Sequence, residues 1–140
     1  FLLSHLFYIY SFNQPGHPSH DIPFLKKHPW FIFLVIVAGV YMFQQLQPKL
    51  HEMVLPVIVY LIVILAMFSM AINRWGKVNK DSFFWVSGGA FLFVVSDGIL
   101  AFNKFHSPIE NARFAIMISY MLAQYSIVRG AYLQITENGH

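Results

Sequence analysis

Residues 53–72 read MVLPVIVYLIVILAMFSMAI, twenty positions without a single charge. A helix needs about 20 apolar residues to cross a hydrocarbon core of about 30 Å, so this stretch predicts a transmembrane helix by itself. Pro56 falls in its first turn, where a missing N–H costs little. Working outward, a second span is expected from Trp30 to Leu46, preceded by Pro29, with Trp30 and Tyr41 as interfacial anchors. A further span covers about residues 83–102 and carries Asp97; the last covers about residues 112–133 and carries Gln124 and, near its end, Arg129. Residues 1–12 are also apolar, but no basic segment precedes them, so they do not read as a signal peptide. They read as the last two-thirds of a helix that begins upstream. The expected architecture is all-α: a polytopic transmembrane bundle with about five helices here, one of them truncated. Residues 1–140 then form the C-terminal part of a single transmembrane domain.

Composition points the same way. Of 140 residues, 57% are apolar and 11% charged, against about 25% charged in an ordinary soluble domain. So few charges would cover a water-exposed surface poorly, which excludes a soluble globular enzyme. The net charge of +3 is carried by scattered Lys and Arg, with no phosphate-tracking stripe, so no nucleic-acid partner is expected. Cys is absent, which excludes thiolate sites, and the His residues outside residues 1–12 sit in loops or at the end without metal-ligand spacing. No metal or other cofactor is expected. The connectors at residues 13–28 and 73–81 are rich in Pro, Asn, Gly and Lys and read as turns between antiparallel neighbours. One side of the membrane collects Lys26, Lys27, Arg74, Lys77, Lys80 and Arg129, the other Lys49, Lys104 and Arg113. The positive-inside rule predicts a multi-pass membrane protein with its C-terminus in the cytoplasm.

Asp97 carries the most information. A carboxylate near a helix centre costs about 2.5–3.5 kcal/mol on the insertion scale. The eleven Phe, Leu, Ile and Val residues of 83–102 return about 3–7 kcal/mol, so the helix inserts and Asp97 must face protein or water. Two readings stand side by side: a functional carboxylate, or one that merely pairs with Lys104 or Arg113. By helical rise, Asp97 lies about 7 Å below the interface, Tyr120 about 12 Å and Gln124 about 18 Å. Tyr120 and Gln124 share one face of the last helix, either as part of a site or as a helix–helix hydrogen bond. Ser119, Ala123, Ser126 and Gly130 add a small-residue packing stripe. Ser4, His5 and Tyr8 line one surface of the opening segment, with His5 expected near the depth of Gln124 and about two turns from Asp97.

Three motifs, in this order, resemble the YhhN-like family of integral-membrane lysoplasmalogenases: Ser4-His5-x-x-Tyr8; Gly89-Ala90-x-x-Phe93-x-x-Ser96-Asp97-x-x-Leu100-Ala101-x-x-Lys104-Phe105; and Tyr120-x-x-Ala123-Gln124. The resemblance runs from Phe1 to about Leu133. It implies a bundle of eight helices, of which this chain supplies roughly the last five, and an upstream carboxylate motif that echoes Ser96-Asp97. It also implies hydrolysis of the vinyl ether bond of a lysoplasmalogen, a lipid substrate taken from the bilayer, to a fatty aldehyde and a glycerophospho-headgroup. On that reading Asp97 serves in acid–base chemistry and His5 relays protons. Ser4, Tyr8, Ser96, Tyr120 and Gln124 orient substrate or water, and Lys104, with Arg113, meets the lipid phosphate. An apolar wall favours the neutral form of a carboxyl, which is the form a general acid needs. Two other classes remain open at this level: a transporter using Asp97 for proton coupling, and a non-catalytic membrane subunit. Oligomeric state is not legible.

Overall fold

The computed structural model describes residues 2–13 and 22–138. They form α1 (Leu2–Phe12), a short α2 (Phe24–Lys27), α3 (Trp30–Leu46), α4 (Val54–Ile72), α5 (Lys80–Phe105) and α6 (Ala112–Asn138), with two 3₁₀ turns between α3 and α4. Among the described residues no strand occurs. Trp30–Lys49, Val54–Ile72 and Lys80–Phe105 are long and apolar enough to cross a membrane. The chain is a membrane protein of all-α architecture.

Three expectations need correction. The connector before α3 is not a plain turn, because Pro23 starts a single helical turn there. Both later helices outrun their apolar cores. Asn79 accepts a hydrogen bond from the Asp81 N–H at 3.1 Å and starts α5 three residues early, while α6 continues past Leu133. The last helix is long enough to span, but Gln124, Arg129 and its Tyr and Ser residues keep it out of the set qualified by apolarity. It packs along α5, its most extensive partner.

The α5–α6 seam shows why. Ser82 Oγ donates to the Gly130 carbonyl at 2.7 Å, and Ser96 Oγ donates to the Ile116 carbonyl at 3.2 Å. Between them Gly89 lies against Ala123 and Ile127. The positions on α5 advance by seven residues, as those on α6 recede by seven, so two antiparallel helices meet along a heptad seam. Small residues let the backbones approach, and serines satisfy themselves on carbonyls opposite. Of the expected small-residue stripe, Ala123 and Gly130 lie in this seam; Ser119 instead bonds back to Ala115 in its own helix.

Next to the seam, α5 buries Val86, Ala90, Phe93 and Asp97, spaced i, i+4, i+7, i+11. Tyr60, Ile64, Met67 and Ala71 repeat that spacing on α4, whose antiparallel course puts Tyr60 beside Asp97 and Ala71 beside Ser87. On the remaining side α1 turns His5, Tyr8 and Phe12 inward. The core is thus built by α1, α4, α5 and α6 around Phe93. By contrast α3 lies outside α4: few of its residues are buried, against nearly half of those along α5, and Trp30 and Tyr41 are exposed.

The far end of the bundle holds a buried Arg74. Its Nη2 donates to Ser82 at 3.4 Å and to Gln134, and its guanidinium lies 5.3 Å from the Phe12 ring centroid. Burial lowers this guanidinium to about 10, so it stays charged at neutral pH. The cost of burying it is therefore present at neutral pH and relieved only as pH rises past about 10. Arg74→Ala strands two acceptors and lowers stability by about 2–3 kcal/mol. Arg74→Met, which removes the buried charge while keeping volume, loses less. Thermal unfolding in detergent ranks the two, and an equal loss would show that the side chain's hydrogen bonds carry the joint.

Candidate active site

The residue after a seam position turns by about 100° around its helix. Ser96 faces α6, so Asp97 turns away from it toward α4 and α1, where it is 5% exposed. Tyr60 Oη donates to Asp97 Oδ2 at 2.6 Å, and His5 Nε2 stands 3.4 Å from the same oxygen. His5 is 1% exposed, with its ring edge-on to Tyr60 at 5.7 Å and to Phe93 at 5.2 Å. The expected gap of two turns between His5 and Asp97 does not exist. The alternative of a pair with Lys104 or Arg113 is also not what forms: Lys104 is exposed over the Phe105 ring at 5.2 Å, and Arg113 is exposed at the start of α6.

A second polar group lies on the other side of Phe93. Tyr8 Oη donates to Gln124 Oε1 at 2.5 Å, and Gln124 Nε2 donates to Tyr120 Oη at 3.0 Å. The fully buried Phe93 ring touches both groups, with centroids 5.8 Å from Tyr8 and 5.1 Å from Tyr120. Ser96 is committed to the helix seam. Ser4 is half-buried on α1 and belongs to neither group. Two open cavities meet at Asp97. One, of about 290 Å³, lies between α3, α4 and α5; the other, of about 380 Å³, lies between α5 and α6 and includes Ser96, Asn103, Arg113 and Tyr120. Among the described residues no cluster of three His, Asp or Glu side chains is placed to hold a metal. A buried carboxyl with a phenol and an imidazole on one oxygen, reached from one almost wholly apolar cavity and one that carries a few polar groups, suits proton transfer.

Compared with known proteins, the YhhN family profile matches residues 1–131. The chain belongs to the YhhN family. It is 33% identical over 132 residues to lysoplasmalogenase TMEM86B of Homo sapiens, covering 94% of this chain and 50% of the relative. Lysoplasmalogenase TMEM86B of Sus scrofa is 29% identical over 128 residues, covering 91% of this chain and 49% of the relative. The chain thus spans about half the length of the curated relatives it matches. No solved structure matches it.

The parts played by two residues of this YhhN chain escaped sequence reasoning. Tyr60 is the one polar side chain between Glu52 and Ser69, and that isolation in the most apolar span was the available signal. Phe93 stands in the second motif, and only its role as the ring shared by both polar groups escaped. Its place four residues before Asp97, on the same helical face, was the clue.

Proposed function

We propose that the chain forms the C-terminal half of a membrane-embedded lysoplasmalogenase. The observation that carries this reading is Asp97, buried in the core with Tyr60 and His5 on one carboxyl oxygen, in a chain similar over most of its length to lysoplasmalogenases. Asp97 gives a proton to the outer vinyl carbon, leaving an oxocarbenium ion on the carbon that bears the ether oxygen. Water adds there, and the hemiacetal collapses to a fatty aldehyde and the free glycerol hydroxyl of the headgroup fragment. The balance is one water consumed per vinyl ether broken, with no redox step. A second carboxylate, supplied upstream of Phe1, stabilises the cation or activates that water, as in paired-carboxylate glycoside hydrolysis.

The remaining residues take supporting parts. His5 exchanges protons with Asp97. Tyr8, Gln124 and Tyr120 order the wall beside the cavity between α5 and α6, and Ser96 holds α5 against α6 so that Asp97 points inward. Lys104 meets the lipid phosphate, and Arg113 stands at the cavity on the other side of Asp97. We also place the end of the bundle that carries Lys26, Lys27, Arg74, Lys77, Lys80 and Arg129 in the cytoplasm. The Leu25 N–H donates to Asn73 at 3.2 Å, so these connectors share that end, while Lys49 bonds the His106 carbonyl at the other; the excess of Lys and Arg is what assigns the sides.

The test is aldehyde release from a lysoplasmalogen by the full-length protein in detergent, with the saturated ether lipid as blank. Tyr60 is a positioning residue on this reading. Tyr60→Phe keeps the ring and removes the hydrogen bond on Asp97 Oδ2, worth about 0.5–1.5 kcal/mol. The expected outcome is a kcat lowered about tenfold with KM held, and a fall in melting temperature no larger than one hydrogen bond accounts for. A larger fall in melting temperature would make its role structural.

A further inference from the structure

The two cavities at Asp97 differ in chemistry. The groove between α3, α4 and α5 is walled by Met42, Leu46, Leu61, Leu65 and Val94, with Asp97 in its side and Lys104 at one end. The other cavity presents Asn103, Arg113 and Tyr120. Leu61 and Leu65 also wall a second recess of about 310 Å³, shared with Ile36, Gly39 and Phe43 of α3, and the Leu65 tip sits over Gly39 between the two.

We propose that this groove and its recess are the binding site of the substrate's single hydrocarbon chain, with the vinyl ether against Asp97 and the phosphate on Lys104. The inference rests on the hydrolase reading and adds to it the orientation of the lipid. Its first support is charge. Lys104 follows Asp97 by seven residues, two helical turns, so both lie on one face about 10 Å apart. Six bonds separate the ether-bearing vinyl carbon from phosphorus, an extended span of about 7 Å. A flexible lysine side chain makes up the difference. Orientation follows from the same geometry, because the end opposite Lys104 is apolar throughout.

Length gives the second support. From Tyr60 to Leu65 the groove runs about 7.5 Å beyond the reacting carbons, enough for about six methylenes. A longer chain needs an exit, and turning the flexible Leu65 tip off Gly39 opens one into the recess between α3 and α4. Water does not share this route. It reaches the cation from the cavity on the other side of Asp97, so the attacking water and the chain arrive from opposite sides of α5.

Two measurements on the full-length protein in nanodiscs decide this. A non-cleavable alkyl lysophospholipid with a diazirine at its chain terminus is photolysed and its adducts mapped by mass spectrometry. Adducts on residues 36–46 and 58–65 are expected; adducts confined to α6 overturn the proposal. Separately, Val94→Phe narrows the groove beyond Asp97. It is expected to lower kcat/KM for a sixteen-carbon alkenyl chain at least tenfold relative to an eight-carbon chain. An equal change for both chains counts against the groove. If the wild type releases no aldehyde from either chain, the hydrolase reading falls, while the adduct map still decides where the chain lies.

Discussion

Asp97→Asn in the full-length protein abolishes aldehyde release while leaving a folded membrane protein. Asn keeps the shape of the side chain and can still accept the 2.6 Å hydrogen bond from Tyr60, so the packing of α4 on α5 survives. What it lacks is a transferable proton. General acid–base catalysis by a positioned side chain contributes about 10²–10⁴-fold, and on the proposed reading Asp97 is the donor to the vinyl carbon, with Tyr60 and His5 acting through it. The expected loss in kcat is thus at least a hundredfold, read as aldehyde formed per folded enzyme, with melting temperature as the control. Retained turnover would remove Asp97 from the chemistry. Loss of fold with loss of turnover would make it a packing residue.

The second large effect falls on Gly89. A Cβ at this position would stand 2.8 Å from the Ala123 carbonyl oxygen and 3.1 Å from the Ile127 nitrogen, both backbone atoms of the facing helix. A side chain tip can rotate away, but a helix backbone must move as a body. Replacing Gly by Ala inside a helix gains about 0.5–1 kcal/mol of propensity, whereas overpacking costs about 1–3 kcal/mol, so the clash prevails. Gly89→Ala should melt lower, and Gly89→Val should fail to give a monodisperse protein. The neighbouring Gly88 provides the control, since a Cβ there would meet nothing within 4 Å. Gly88→Ala should melt unchanged or up to about 1 kcal/mol more stable. Equal behaviour of the two variants would mean that α5 and α6 are not seamed at Gly89.

The spans and their antiparallel order were legible because hydropathy measures the property that selects a membrane helix. Asp97 was legible for the same reason, as a costly residue in an apolar helix. Its partners were not. Counting 1.5 Å per residue gives depth along one helix, but says nothing of where the opening helix sits beside it, so His5 was set two turns away. Tyr60 was missed because a phenol is nearly neutral on hydropathy scales, and only the packing of α4 shows its hydroxyl meeting a carboxyl. Arg74 read as a solvated loop cation beside Trp75, Gly76 and Lys77. Its burial depends on Gln134, which lies beyond the point where the apolar run of the last helix stops.

The docking of α1 has a consequence for quality control. Two turns of one short helix supply both His5 and Tyr8, the members of the two polar groups on either side of Phe93. A slip of one residue rotates that helix by about 100° and withdraws both at once. On the hydrolase reading the pocket therefore acts as a proofreader of assembly: a misthreaded bundle loses His5 from Asp97 and Tyr8 from Gln124 together, and is silent rather than partly active.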